Sequence, residues 1–289
     1  MRSDEHDERE TNMAVADLKD WEQIDVTHDG GVVNIVINQA ERRNAWNSQL
    51  TKEIDVLLEA ATDDPSVKVV TVRGDGPVFT SGADLKEVAA RYVTTGKFVP
   101  EARRRLPGLP RAWYFPKPLI AGVHGFVGPE GLHFLTYCDF VIAAEGTRFS
   151  YEHSRIGTGW PGGEPLAFHF PIRVFKKLLM MGGWFDAETA HELHFVQRVV
   201  APDDLPGELG KWAHDLAMIP SEGMRAAKLG IHRQYEAMGV AAIEYTKERD
   251  SGGDLTPEDA AFFRTVHEHG VRAALAGRDA DFNQDTAKI

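Results

Sequence analysis

Apolar positions along this chain fall into two periods, and the switches between them mark its elements. Ile24-Asp25-Val26-Thr27-His28 and Val32-Val33-Asn34-Ile35-Val36-Ile37 are β-branched runs separated by Asp29-Gly30-Gly31, which predicts a hairpin. A polar connection through Gln39-Ala40-Glu41 leads to Asn47-Ser48, which opens a helix with apolar positions at Leu50, Ile54, Leu57, Leu58 and Ala61. Lys68 to Arg73 predicts a strand, broken by Gly74-Asp75-Gly76-Pro77. Val78-Phe79-Thr80 then runs into Ser81-Gly82-Ala83-Asp84, a loop that feeds a helix.

Residues 92–117, rich in Arg, Pro and aromatics, predict a helix with broken ends. A strand at 119–123 follows, then a turn built from Gly125, Gly128, Pro129 and Gly131, then an apolar helical pattern from Leu132 through Tyr137. Phe140 to Ala144 reads as a buried strand. Arg148-Phe149-Ser150-Tyr151 begins a loop that ends at Glu164. Strands alternating with helices imply right-handed crossovers and a mostly parallel sheet. From Phe170 the pattern is mainly helical apart from a short strand at 196–200. Helices start at Asp203-Asp204-Leu205, at Pro220-Ser221 and at Pro257-Glu258-Asp259, the last reaching Leu275. The class is α/β, organised as an acidic tail at 1–18, a core at 19–205 and a helical region at 206–289.

Composition narrows the function. The formal net charge of −12 argues against non-specific nucleic-acid binding, while leaving room for a local basic pocket. The single cysteine, Cys138, excludes an internal disulfide framework; inside an apolar run it reads as a small buried residue. No run approaches the ~20 apolar residues of a membrane span, and the polar, acidic start does not read as a signal peptide, so a cytoplasmic protein with no membrane partner is expected. His191 and His194 share a helix face without an evident third ligand, and no metal site is expected. The turn at 125–131 can present unpaired backbone N–H groups at a helix start to an oxygen that becomes negative during a reaction; an ordinary glycine turn is the alternative.

Several stretches, in order, resemble segments of the crotonase (enoyl-CoA hydratase/isomerase) family: Asn38 to Ala45, Phe79 to Glu87, Val123-His124-Gly125, Cys138-Asp139 and Gly270 to Phe282. The resemblance covers residues 22–282. It implies a spiral core of stacked ββα units with a C-terminal helical trimerisation region, a homotrimer or homohexamer, and an acyl-CoA substrate with no prosthetic group. It also implies a thioester oxygen held by two backbone N–H groups, which fall at Ala83 and Glu130, and a CoA-binding set at Arg42, Arg43, Ala45, Ala83, Asp84 and Leu85. Solvated-loop roles remain the alternative for Arg42 and Arg43.

The chain departs from the family pattern where the chemistry lies. The usual glycine run reads Pro129-Glu130-Gly131, and the two positions that hold glutamates in the family's hydratases hold His133 and His153. Imidazoles suit proton transfer near neutral pH. Glu130 either turns its side chain away, leaving only its N–H to serve, or is itself an acid/base. Glu164 is a further carboxylate candidate, near where family members that hydrolyse β-diketones carry an acidic residue. Trp46 and Trp160 are candidates for an acyl pocket, with core packing as the alternative. The implied activity is a lyase-type reaction on an acyl-CoA, through an enolate, in fatty-acid or aromatic catabolism. The alternatives are retro-Claisen hydrolysis of a cyclic 1,3-diketone and a non-catalytic acyl-CoA-binding paralogue.

Overall fold

The structure, a computed structural model, describes residues 14–96, 111–157, 165–240 and 257–289. Strands β1 (Ile24–Asp29) and β2 (Val32–Ile37) form the expected hairpin, with Gly30 and Gly31 both at positive φ, as a tight two-residue turn demands. Asn47 caps helix α1 (Ser48–Asp63), its side chain accepting from the Leu50 N–H. Strands β3 (Val69–Gly74), β4 (Leu119–Val123), β6 (Phe140–Ala144) and β9 (Arg198–Val200) complete a six-stranded sheet of order β1-β2-β3-β4-β6-β9, parallel from β2 onward.

Alternation along the strands builds two cores. Val33, Ile35, Val70, Val72, Ala121 and Val123 face α1, whose Leu50, Leu57 and Leu58 are fully buried. On the other face, Val69, Ile120 and Ile142 pack on Leu205, Leu209 and Ala213. Helix α2 (Leu85–Thr95), capped by Asp84, carries Val88 and Ala89 into a third cluster with Phe263, Val266 and Ala274 of the C-terminal helices. A second small sheet joins β5 (Phe126–Val127), β7 (Arg148–Ser150) and β8 (Trp184–Asp186).

Four expectations change. Arg148 to Ser150 is a strand rather than the start of a loop, because β5 and β8 supply partners far away in sequence. The last long helix is two, Pro257–His269 and Val271–Asp279, since Gly270 takes φ +84° and breaks the ladder. The strand expected at 196–200 is limited to Arg198–Val200. Residues 14–18 are docked: Val15 is buried and its N–H donates to Asp64 Oδ2 at 2.9 Å. The rest of the acidic tail, and most of the irregular stretch within 92–117, lie outside the described residues.

Cys138 is buried, and burial pushes its thiol pKa well up. Beside it a charge pair closes the N-terminal end of the parallel strands. Lys228 Nζ, on the helix Ser221–Ala237, lies 2.6 Å from Asp139 Oδ2 and donates to the Lys117 carbonyl at 3.0 Å, while the same Asp139 oxygen accepts from the Leu119 N–H at 2.8 Å. Removing one partner of this largely buried pair leaves Lys228 an uncompensated charge. Asp139→Ala is therefore expected to lower unfolding free energy by roughly 3 kcal/mol, read as a shifted urea midpoint with unchanged slope.

Candidate active site

Three loops at the C-terminal ends of β2, β3 and β4 meet where ligands bind in parallel sheets. The segment 79–84 is threaded between the other two. On one side the Trp46 N–H donates to the Gly82 carbonyl, and the Asp84 N–H to the Trp46 carbonyl, both at 2.8 Å. On the other the Thr80 N–H donates to the Phe126 carbonyl at 3.2 Å and the Gly128 N–H to the Thr80 carbonyl at 2.9 Å. The approach is close enough to require glycine. A Cβ on Gly128 would lie 2.5 Å from the Ser81 carbonyl carbon and oxygen.

Asn44, which sequence reasoning passed over, holds the first loop. It is fully buried, takes φ +51°, and donates through Nδ2 to the Asp75 and Val78 carbonyls, both at 2.8 Å, while its Oδ1 accepts from the Gln39 N–H. Asparagine tolerates the left-handed region, so an Asn in a polar connection after a strand was the available signal.

The loop 124–128 ends in the helix Pro129–Leu135, which puts Pro129 and Glu130 in its first turn and His133 one turn further on. The Glu130 side chain points inward. Its Oε2 accepts from the Ala83 N–H at 2.5 Å, and its Oε1 lies 3.3 Å from His153 Nε2. His153 opens a short 3₁₀ turn after β7 and is buried. His133 Nε2 is 3.2 Å from the hydroxyl of Tyr151, a fully buried residue that the sequence did not single out, and the two histidine rings are 5.7 Å apart. Burial alone would raise the Glu130 pKa. The charge and hydrogen bond of His153, the charge of His133 and the residue's own backbone N–H outweigh it and hold the carboxyl at about 2. The Ala83 N–H, one of the two assigned to a substrate oxygen, is therefore the one that holds this carboxylate.

The remaining candidates gather around the same loops. Asp84 caps α2 and pairs with Arg42, whose side chain is half exposed; Arg43 is exposed at φ +54°. Ala45 is half-buried beside them, and Leu85 packs on the C-terminal cluster. The Trp46 ring lies 5.2 Å from that of Phe134, its Nε1 donating to Thr51 Oγ1 at 3.0 Å, so it borders the main core. Trp160 and Glu164 lie outside the described residues. Among the described residues no group of three or more His, Cys, Asp or Glu could hold a metal, and no helix is long and apolar enough to cross a membrane.

The sequence profile of the enoyl-CoA hydratase/isomerase family matches residues 27–251. This chain belongs to that family. A probable enoyl-CoA hydratase of Rhizobium meliloti (strain 1021) is 27% identical over 264 residues, which is 91% of this chain and 98% of that protein. A hydroxycinnamoyl-CoA hydratase-lyase of Pseudomonas fluorescens is 29% identical over 74% of this chain and 79% of its own. The crystal structure of an enoyl-CoA hydratase/isomerase from Xanthobacter autotrophicus Py2 superposes with a TM-score of 0.81 at 28% identity, covering 91% of this chain and 100% of that one. The crotonase fold, α/β with a C-terminal helical region, is the fold of this chain.

In this member of the family, two consequences follow from the loop contacts and the inward-facing carboxylate. Gly128→Ala forces the 80–82 segment and the helix start apart, and a displacement near 1 Å is expected to lower turnover by about a hundred-fold while far-UV dichroism stays unchanged. The Glu130 pKa is depressed from 4.5 to about 2, so its contribution to stability is complete above pH 4.5 and is lost as pH falls towards 2. Thermal midpoints of Glu130→Gln are expected to fall less steeply than those of the wild type across that window.

Proposed function

We propose that this protein is an enzyme acting on an acyl-CoA thioester through an enolate, with histidines carrying the proton transfers. The observation that carries the reading is the Glu130 carboxylate itself. A backbone donor that holds an anionic carboxylate oxygen at 2.5 Å also stabilises an enolate oxygen placed at the same point. The Ala83 and Glu130 N–H groups are the proposed donors to that oxygen, and His153, within 3.3 Å of Glu130, is the proposed base or acid at the adjacent carbon. His133, held by Tyr151, stands beside it as the second proton carrier. Arg43, with Arg42 balanced by Asp84, is the proposed contact for the CoA phosphates, on the loop that also carries Ala45. Trp46 and Trp160 are the proposed lining of the acyl end, and Glu164 a further proposed carboxylate of the site. The relatives named as a hydratase and a hydratase-lyase support a lyase-type reaction, and the family supports a homotrimer or homohexamer.

A second reading is favoured by the contact between His153 and Glu130. A carboxylate-oriented imidazole is suited to activating water, which would attack one ketone of a cyclic 1,3-diketone. The C–C bond would then break, and the leaving carbon would depart as an enolate held by the same donors.

His133→Ala and His153→Ala are each expected to lower turnover by ~10²–10⁴ while the Kd for the acyl-CoA changes little, since proton transfer typically contributes that much in rate. Enoyl absorbance and free thiol, followed side by side, read the CoA reaction, and loss of diketone absorbance reads the second. Wild-type turnover in both variants would refute the assignment. Binding without turnover in the wild type would point to a non-catalytic acyl-CoA-binding protein.

A further inference from the structure

The Glu130 carboxylate occupies the place that a substrate oxygen needs. The Ala83 N–H has one hydrogen, and Glu130 Oε2 takes it at 2.5 Å. Gly82 makes this possible. At φ +94°, a Cβ there would lie 3.0 Å from that same oxygen and 2.9 Å from Pro129 Cδ, so the loop is shaped around the carboxylate. The other oxygen faces His153 Nε2 at 3.3 Å, and His133 stands behind, its ring 5.7 Å from that of His153. A neutral thioester or ketone oxygen is a weaker acceptor than a carboxylate and cannot share the hydrogen, so the resting site is closed to it.

We infer that Glu130 is the specificity-determining residue of this site: its carboxylate occupies the Ala83 N–H at rest, and a substrate enters by displacing it from that N–H towards His153. The displaced group keeps a partner, because Oε1 already faces the imidazole, and the exchange moves a negative charge onto His153 as the carbonyl arrives. Entry thereby favours strong hydrogen-bond acceptors over weak ones. The inference rests on the proposed carbonyl chemistry of the site, not on CoA as the carrier.

Calorimetric titration of wild type, Glu130→Ala and Glu130→Gln with acetoacetyl-CoA, free CoA and 1,3-cyclohexanedione tests it. Glu130→Ala is expected to bind acetoacetyl-CoA roughly ten- to hundred-fold more tightly than the wild type, with Glu130→Gln between them, because a neutral amide is a weaker competitor for the N–H. Affinity for free CoA, which brings no carbonyl to the plug, is expected to be equal in all three. Acetoacetyl-CoA affinity that stays level or falls in Glu130→Ala overturns the inference, as does an equal rise for free CoA. If no protein binds either CoA compound, the acyl-CoA reading falls and the diketone decides: tighter binding in Glu130→Ala upholds the plug, and anything else overturns it. Should Glu130→Ala not fold, Glu130→Gln is judged by the same comparison with the wild type.

Discussion

The site depends on one close backbone contact, the passage of residues 80–82 against Gly128. Two N–H groups can converge on a single oxygen only if the chain segments that carry them approach to within the reach of one atom. Here that approach is made by main chain on main chain, with no side chain between. The glycines of this region matter for their lack of a Cβ, and only some for their backbone angle: Gly128 lies at an ordinary φ of −76°, whereas Gly82 needs +94°. The threaded segment is held on both sides by hydrogen bonds and is stiffened by Asn44, so the donor at Ala83 is fixed before any ligand arrives. Such pre-organisation is what makes a hydrogen-bond donor effective towards a developing charge.

The electrostatics of the pocket follow from two imidazoles standing beside one carboxylate. Two glutamates and a third carboxylate in so small a space would repel one another, and at least one would be driven to protonate. With His133 and His153 at those positions, a carboxylate at residue 130 becomes tolerable and is held ionised. The three side chains are thus physically coupled, since an ionised carboxylate at 130 is compatible with imidazoles at 133 and 153.

Local patterns carried much of the fold into view from sequence. The Gly30-Gly31 turn, the Asn47 cap and the burial of Cys138 all express rules that act within a few residues. What stayed hidden was long-range. The strand character of Arg148 to Ser150 depends on partners at 126–127 and 184–186, and the apolar spacing across Gly270 gave no hint of its positive φ. In the site, the resemblance singled out Ala83, Glu130, His133 and His153, and the structure brings these four together. It could not tell which way the Glu130 side chain points, because the answer lies in a hydrogen bond spanning 47 residues. Asn44 and Tyr151 were missed for the same reason: their partners lie on other loops.

The clamp between Lys228 and Asp139 sits at the far end of strand β4 from all of this chemistry. The same Asp139 oxygen that receives Lys228 also receives the Leu119 N–H, so the first residue of β4 is indexed by an ion pair. That strand is buried along its whole length and continues directly into the loop holding Gly125 and Gly128. Like the anchored end of a tuning rod, the pair sets the axial position of the strand's other tip, about 13 Å away at ~3.3 Å per residue. The alignment of the donors is therefore referenced to a charge contact on the opposite rim of the sheet. A helix from the C-terminal third, which supplies Lys228, thereby takes part in calibrating a pocket it does not line.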